Sequence, residues 1–289
     1  MNTTIKINKI DFRNQLIIEL DNMISQKFSY LFQAVIAHGS VATNEVIAYS
    51  DFDGMLIVKD AFWDTQILKK FHRETMKIIH RFDPLQHHGW FQIKASDLND
   101  YSEVKNLPLA VIKEAKMIFP SKDTEFTFCL CENEDCNAPA LRVINSIHSK
   151  LKSGTYRESM FNLKSFLSEV MLLPSLVYQA QNSRGIFKKQ SFDAMRSSYS
   201  SKSWQAIIVS SRIREKWTYN FVVPVQLFLR FKNNRYLKKL VRKYLAPKIT
   251  PSIATEINAS FVDSIKNFLD ESKEIIKGKN IQNKNAYER

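Results

Sequence analysis

The chain has 289 residues, 44% hydrophobic and 25% charged, an ordinary globular composition long enough for one large domain or two modest ones. No apolar run approaches the roughly 18 residues of a membrane span, and the N-terminal MNTTIKINKIDFRNQ lacks a secretory apolar core; a cytoplasmic protein without a membrane partner is expected. The net charge of +13 is localised, since Arg184 to Lys243 holds 15 basic against 2 acidic residues, and a one-signed segment either gathers anionic partners or serves as solvated faces.

Ile10 to Lys27 carries Phe12, Leu16, Ile17, Leu20, Met23 and Ile24 at helical spacing with no proline or glycine, and reads as a helix. LFQAVIA, Leu31 to Ala37, reads as a buried strand that runs into a tight turn at Gly39. A connector, Val41 to Ser50, leads to DFDGMLIV, Asp51 to Val58. There the alternation puts Asp51, Asp53 and Met55 on one face and Phe52, Gly54 and Leu56 on the other. An amphipathic helix over Trp63 to Arg81 stops at Asp83-Pro84, and two further strands are expected at His88 to Lys94 and Ala115 to Phe119.

From Pro139 onward the pattern is helical, with helices expected at Ala140 to Lys152, Arg157 to Gln181, Phe192 to Arg196, Trp204 to Leu229, Arg235 to Leu245 and Glu256 to Ile276. Pro174 and Pro224 should kink or divide two of these. GKNIQNKNAYER has the composition of a frayed tail. The fold class is therefore α+β: a small mixed sheet over residues 1–125, then an all-helical, strongly basic domain over 126–289.

The chemistry concentrates in HGSVATNEVIAYSDFDG. Two carboxylates at i and i+2 on one strand face can share divalent cations, and such a like-charged pair is costly unless a cation neutralises it. Gly39 lets backbone approach phosphate oxygens, and Ser40 offers them a hydroxyl and an N–H. A Gly-Ser turn, ten residues and Asp-x-Asp on the next strand resembles the polymerase-β-like nucleotidyltransferase superfamily, over roughly residues 10 to 120. The spacing is similar to that of the minimal and antibiotic nucleotidyltransferases.

The resemblance implies Asp51 and Asp53 as ligands of a two-metal Mg2+ site, Gly39 and Ser40 as phosphate contacts, and an NTP, expected to be ATP, as donor. One metal would activate the attacking oxygen, while the other would hold the triphosphate and stabilise the leaving pyrophosphate. The family normally adds a third carboxylate from a later strand. The expected strand, HGWFQIK, carries His88, Trp90, Gln92 and Lys94 on one face and no acid. Three outcomes stay open: His88 or Gln92 occupies the place, Asp83 or Asp97 bends in, or catalysis is weakened or lost. His88 is also a candidate general base.

Secondary signals are looser. In RGIFKKQSFDAMR, Lys188 and Lys189 precede a helix that Ser191 can cap, and either lysine is a candidate triphosphate clamp. Arg212 and Arg214 are a second candidate anion contact. Cys129, Cys131 and Cys136 are too few and too clustered for a disulfide framework and suit a reducing compartment; with His148 they are a remote candidate zinc set. The acceptor is unidentified. The charge of the second half disfavours a cationic aminoglycoside and leaves a phosphorylated small molecule, an RNA or a protein hydroxyl. The alternatives are a weakly active or inactive nucleotide- or RNA-binding protein on this fold, or an antitoxin-like interaction protein.

Overall fold

A computed structural model describes residues 2–11, 15–85, 88–132 and 134–287, with side chains described up to residue 278. The chain divides into two compact units, Met1–Asn133 with Val223–Arg242, and Glu134–Val222 with Lys243–Arg289.

The first unit is built on a six-stranded mixed sheet. Its strands are β1 (Asn2–Lys9), β2 (Phe32–His38), β3 (Asp53–Val58), β4 (Trp90–Lys94), β5 (Lys116–Phe119) and β6 (Thr124–Cys129), in the order β4-β3-β2-β5-β1-β6. The β3–β4 and β1–β5 pairs are parallel and the others antiparallel. Its helices are α1 (Gln15–Met23), the single turn α2 (Gly39–Ala42), α3 (Gln66–Phe82) and the short α4 (Leu109–Lys113). Alternation along β3 divides the core into two layers. Phe52, Leu56 and Val58 pack with α1 and α3 through Leu20, Phe71 and Ile79, whereas Met55 and Ile57 pack with Leu98, Tyr101 and Ile112. Each large apolar side chain so buried contributes about 1.5–3 kcal/mol.

The start of α3 follows from Thr65, whose hydroxyl accepts from the Leu68 N–H, and Leu68, Phe71, Thr75, Ile78 and Ile79, buried along with His80, form one stripe. The sheet extends past the boundary expected near residue 125, because β6 pairs along six residues of β1. Neither β1 nor β6 was expected from the pattern, and the helix expected from Ile10 begins at Gln15, with Phe12 outside the described residues.

The second unit contains α5 (Ala138–Ser153), α6 (Met160–Asn182), α7 (Lys188–Met195) and α8 (Ser201–Glu215). The chain then returns to the first unit for α9 (Val225–Lys232) and α10 (Lys238–Leu240), and ends in the second with α11 (Pro251–Ala254) and α12 (Ala259–Tyr287). Pro224 separates α8 from α9 as expected, standing at the N-cap of α9. Pro174 does not divide α6, which runs through it. The tail expected to fray continues as helix through Tyr287.

α6 has the length and mean hydropathy, 1.2 over its best window, of a membrane span, contrary to the sequence reading; 61% of that window is buried inside the protein. Leu163, Phe166, Leu167, Val170 and Val177 are among the buried residues of this helix. A core helix passes the same composition test, and this burial describes one.

Candidate functional site

The Gly-Ser turn and the Asp-x-Asp strand meet at the end of the β2–β3 hairpin. Gly39 has φ +64, and a Cβ there would lie 2.8 Å from Asp53 Oδ2, so only glycine fits both the left-handed backbone and the approach of the carboxylate. Asp51 is 8% exposed, just ahead of β3, and its Oδ2 is 3.7 Å from His88 Nε2. Between the acids, Phe52 faces the opposite way, edge-on to Trp90 at 4.9 Å between ring centroids. A Cβ on Gly54 would overlap the same Trp90 ring. Strand alternation therefore puts Asp53, with Met55, on the face away from α3, and Asp51 precedes the strand.

The register of β4 corrects one expected member of the site. Gln92 pairs with Leu56 and so turns toward α3, where its Oε1 lies 2.8 Å from His72 Nε2. Trp90 and Lys94 share that face, and the Trp90 indole N–H donates to Thr75 Oγ1 at 2.9 Å. The β4 residue beside Met55 is Phe91, and one step back the register brings Gly89 beside Asp53. Burial lowers the His72 pKa, an effect the hydrogen bond with Gln92 partly opposes.

The two nearby acids are committed elsewhere. Asp97 Oδ2 accepts the Lys94 N–H at 2.7 Å at the start of the turn after β4, and Asp83 is fully buried as the C-cap of α3. The structure thus sets Asp53 against Gly39 and His88 beside Asp51, and turns Gln92 toward α3. It adds His38, the cross-strand partner of Asp53 at the end of β2, whose side chain leaves the sheet on the same face. The sequence signal for it is an imidazole immediately before the Gly-Ser turn, which the motif spacing alone does not single out.

Lys188 and Lys189 are the first two residues of α7 in the second unit. Ser191 does not cap that helix; it lies inside it, its hydroxyl donating to the Lys188 carbonyl at 2.6 Å. Arg212 is paired with Glu256 at 3.2 Å, an acid that also holds Lys216. Cys131 Sγ donates to Asp100 Oδ1 at 2.8 Å, and no group of three or more His, Cys, Asp or Glu able to hold a metal ion occurs among the described residues. Open concavities of about 420 and 820 Å³ count neither the turn nor the aspartates among their lining residues. The larger runs between α1, α3 and α9 and includes Glu19, Lys77, Arg81 and Arg230.

No family model and no curated protein matches the chain. Among solved structures it is similar to a spectinomycin adenyltransferase from Enterococcus faecialis, crystallised with ATP and spectinomycin. The identity is 11% and the TM-score 0.41, over 78% of this chain and 98% of that one. A likeness this distant transfers neither activity nor residue roles.

Proposed function

We propose that the first unit is a metal-dependent nucleotidyltransferase domain that moves a nucleoside monophosphate from an NTP, with ATP the expected donor, to a hydroxyl acceptor, releasing pyrophosphate. The observation that supports this reading is the Asp53 carboxylate lying against Gly39, one acid of the pair beside the Gly-Ser turn. The first N–H groups of the α2 turn have no partner within the helix and suit phosphate oxygens. Asp51 and Asp53 give two carboxylates. That donor set fits Mg2+, which is commonly held by one or two carboxylates together with substrate phosphates and water. When bound there, the ion would supply charge neutralisation at the triphosphate. His88, next to Asp51, is proposed to take the acceptor proton. The acceptor is proposed to be anionic, or a protein hydroxyl, rather than a cationic aminoglycoside.

A second reading, a nucleotide-binding protein without transfer activity, is favoured by one observation: Gly89, just ahead of β4, and Phe91 within it lie on the Asp53 face and carry no acid. Thermal unfolding with ATP separates the two metal dependences. MgATP at about 100 times its Kd should stabilise the protein by about 2.7 kcal/mol, with a melting shift of several degrees. ATP with chelator should shift it much less. Equal shifts with and without magnesium would contradict metal-dependent binding, and labelled-NTP transfer to a component of cell extract then separates enzyme from binder.

A further inference from the structure

The forty residues from Lys216 to Thr255 contain nine Lys or Arg and no Asp or Glu. Within this stretch, Val223–Arg242 belongs to the first unit and holds six cations. Their setting is uneven. Lys232 is buried, whereas Arg230, Arg235 and Lys239 are exposed and Lys238 and Arg242 half-buried. The chain turns over 233–237, forms the three-residue α10 and continues as a π-helical turn at Val241–Leu245, with Lys238 N–H bonded to the Asn234 carbonyl at 3.0 Å and Val241 N–H to the Leu237 carbonyl at 2.9 Å.

Val241 is buried at 3% exposure, while Tyr236 and Leu240, four residues apart, are 87% and 54% exposed. Arg235 and Lys239 immediately precede them. No ion pair among the described residues involves Arg230, Arg235, Lys238 or Lys239.

A basic face that served solubility alone would have no use for a tyrosine almost wholly in water. An interfacial membrane helix would segregate a broad apolar face from its cations over a longer span. Here two exposed cations, Arg235 and Lys239, are each followed by an exposed side chain, a tyrosine and a leucine, on one short stretch. That pattern suits a strand whose phosphates meet the cations and whose bases present a π-face to tyrosine.

We propose that the face formed by Arg235, Tyr236, Lys239 and Leu240 is a docking site for single-stranded nucleic acid. Phosphates lie on Arg235 and Lys239, a base stacks on Tyr236, and Leu240 extends the apolar side of that stack. This docking stands apart from nucleotidyl transfer, and the bound strand becomes the acceptor only if the reading above also holds.

The test is fluorescence anisotropy of an end-labelled, unstructured 20-nucleotide RNA with the full-length protein across a salt series. Wild type should bind, and log K should fall linearly with log salt. Tyr236→Ala should weaken binding at least about fivefold, as expected when a base no longer stacks on an aromatic ring, with the salt slope kept. Arg235→Glu with Lys239→Glu should weaken it and flatten the slope by about one for each phosphate that is no longer neutralised. All these side chains are exposed, so the variants should melt as wild type does and keep its MgATP shift. An Asp51→Ala/Asp53→Ala protein should bind the RNA as wild type does, so a failed transfer reaction leaves this result readable. No RNA binding, wild-type binding by both surface variants, or binding to phosphatidylserine vesicles in place of RNA would overturn the proposal.

Discussion

At the scale of single residues, the site rests on the approach of Asp53 to Gly39. Gly39→Ala places a methyl group 2.8 Å from the Asp53 carboxylate on a backbone with φ +64. The left-handed conformation alone should cost about 1–2 kcal/mol, and the displaced carboxylate should also abolish the MgATP melting shift. Calorimetry with and without nucleotide checks both; a variant with full stability and a full shift would break the link between turn and acid. His72 supplies a pH prediction. Its folded pKa is lowered, so between that value and the ordinary imidazole value near 6.5 the unfolded chain binds more protons than the folded one. Stability should therefore fall as pH drops through this window and lose nothing further from this group below the folded pKa. His72→Asn should lose less stability than wild type between pH 7 and pH 5 in urea unfolding. Equal losses would mean that His72 does not carry the effect.

At the scale of elements, the returning segment Val223–Arg242 is held to the sheet-bearing unit by one buried and one half-buried polar contact. The Lys232 ammonium donates to the Pro84 carbonyl, just past the end of α3, and His80 Nδ1 meets Asn233 Oδ1. Lys232→Met keeps most of the stem but leaves that carbonyl without its charged donor. The expected cost is about 1–3 kcal/mol, read as a lower urea midpoint with unchanged m; an unchanged midpoint would show that α9 is not anchored there. Elements are legible in the sequence where one signal dominates. β2 and β3 are visible as apolar runs ending at the turn and beginning at the acids, and α3 as a long amphipathic repeat. β1 is hard to see although Ile5 and Ile7 alternate with Lys6 and Asn8, because its partner β6 lies more than 110 residues away. The orientation of β4 is hidden for another reason. Alternation gives two faces but not which one turns toward α3, and it is the pairing of Gln92 with Leu56 that decides.

At the scale of the whole molecule, an α+β chain with a mixed sheet followed by helices is readable from the change of period near residue 139. The return of residues 223–242 to the first unit is not, since local pattern carries no record of which core a helix joins. That return also distributes the basic segment between both units, so its net charge is not the property of a helical domain alone. The candidate site is legible in its acids and its turn, which depend on short spacings, and illegible in His38 and Gln92, which depend on register. The nucleotidyl transfer proposed for this site would rest on Asp51 and Asp53 above all. The direct measurement incubates wild type and Asp51→Ala/Asp53→Ala with α-labelled ATP, magnesium and cell extract, after unfolding curves have established that both are folded. Removing both acids relieves like-charge repulsion, so the double variant should fold at least as stably as wild type. Wild type should label an acceptor and release pyrophosphate, and the double variant should do neither; equal labelling by the two proteins would contradict the assignment of this site.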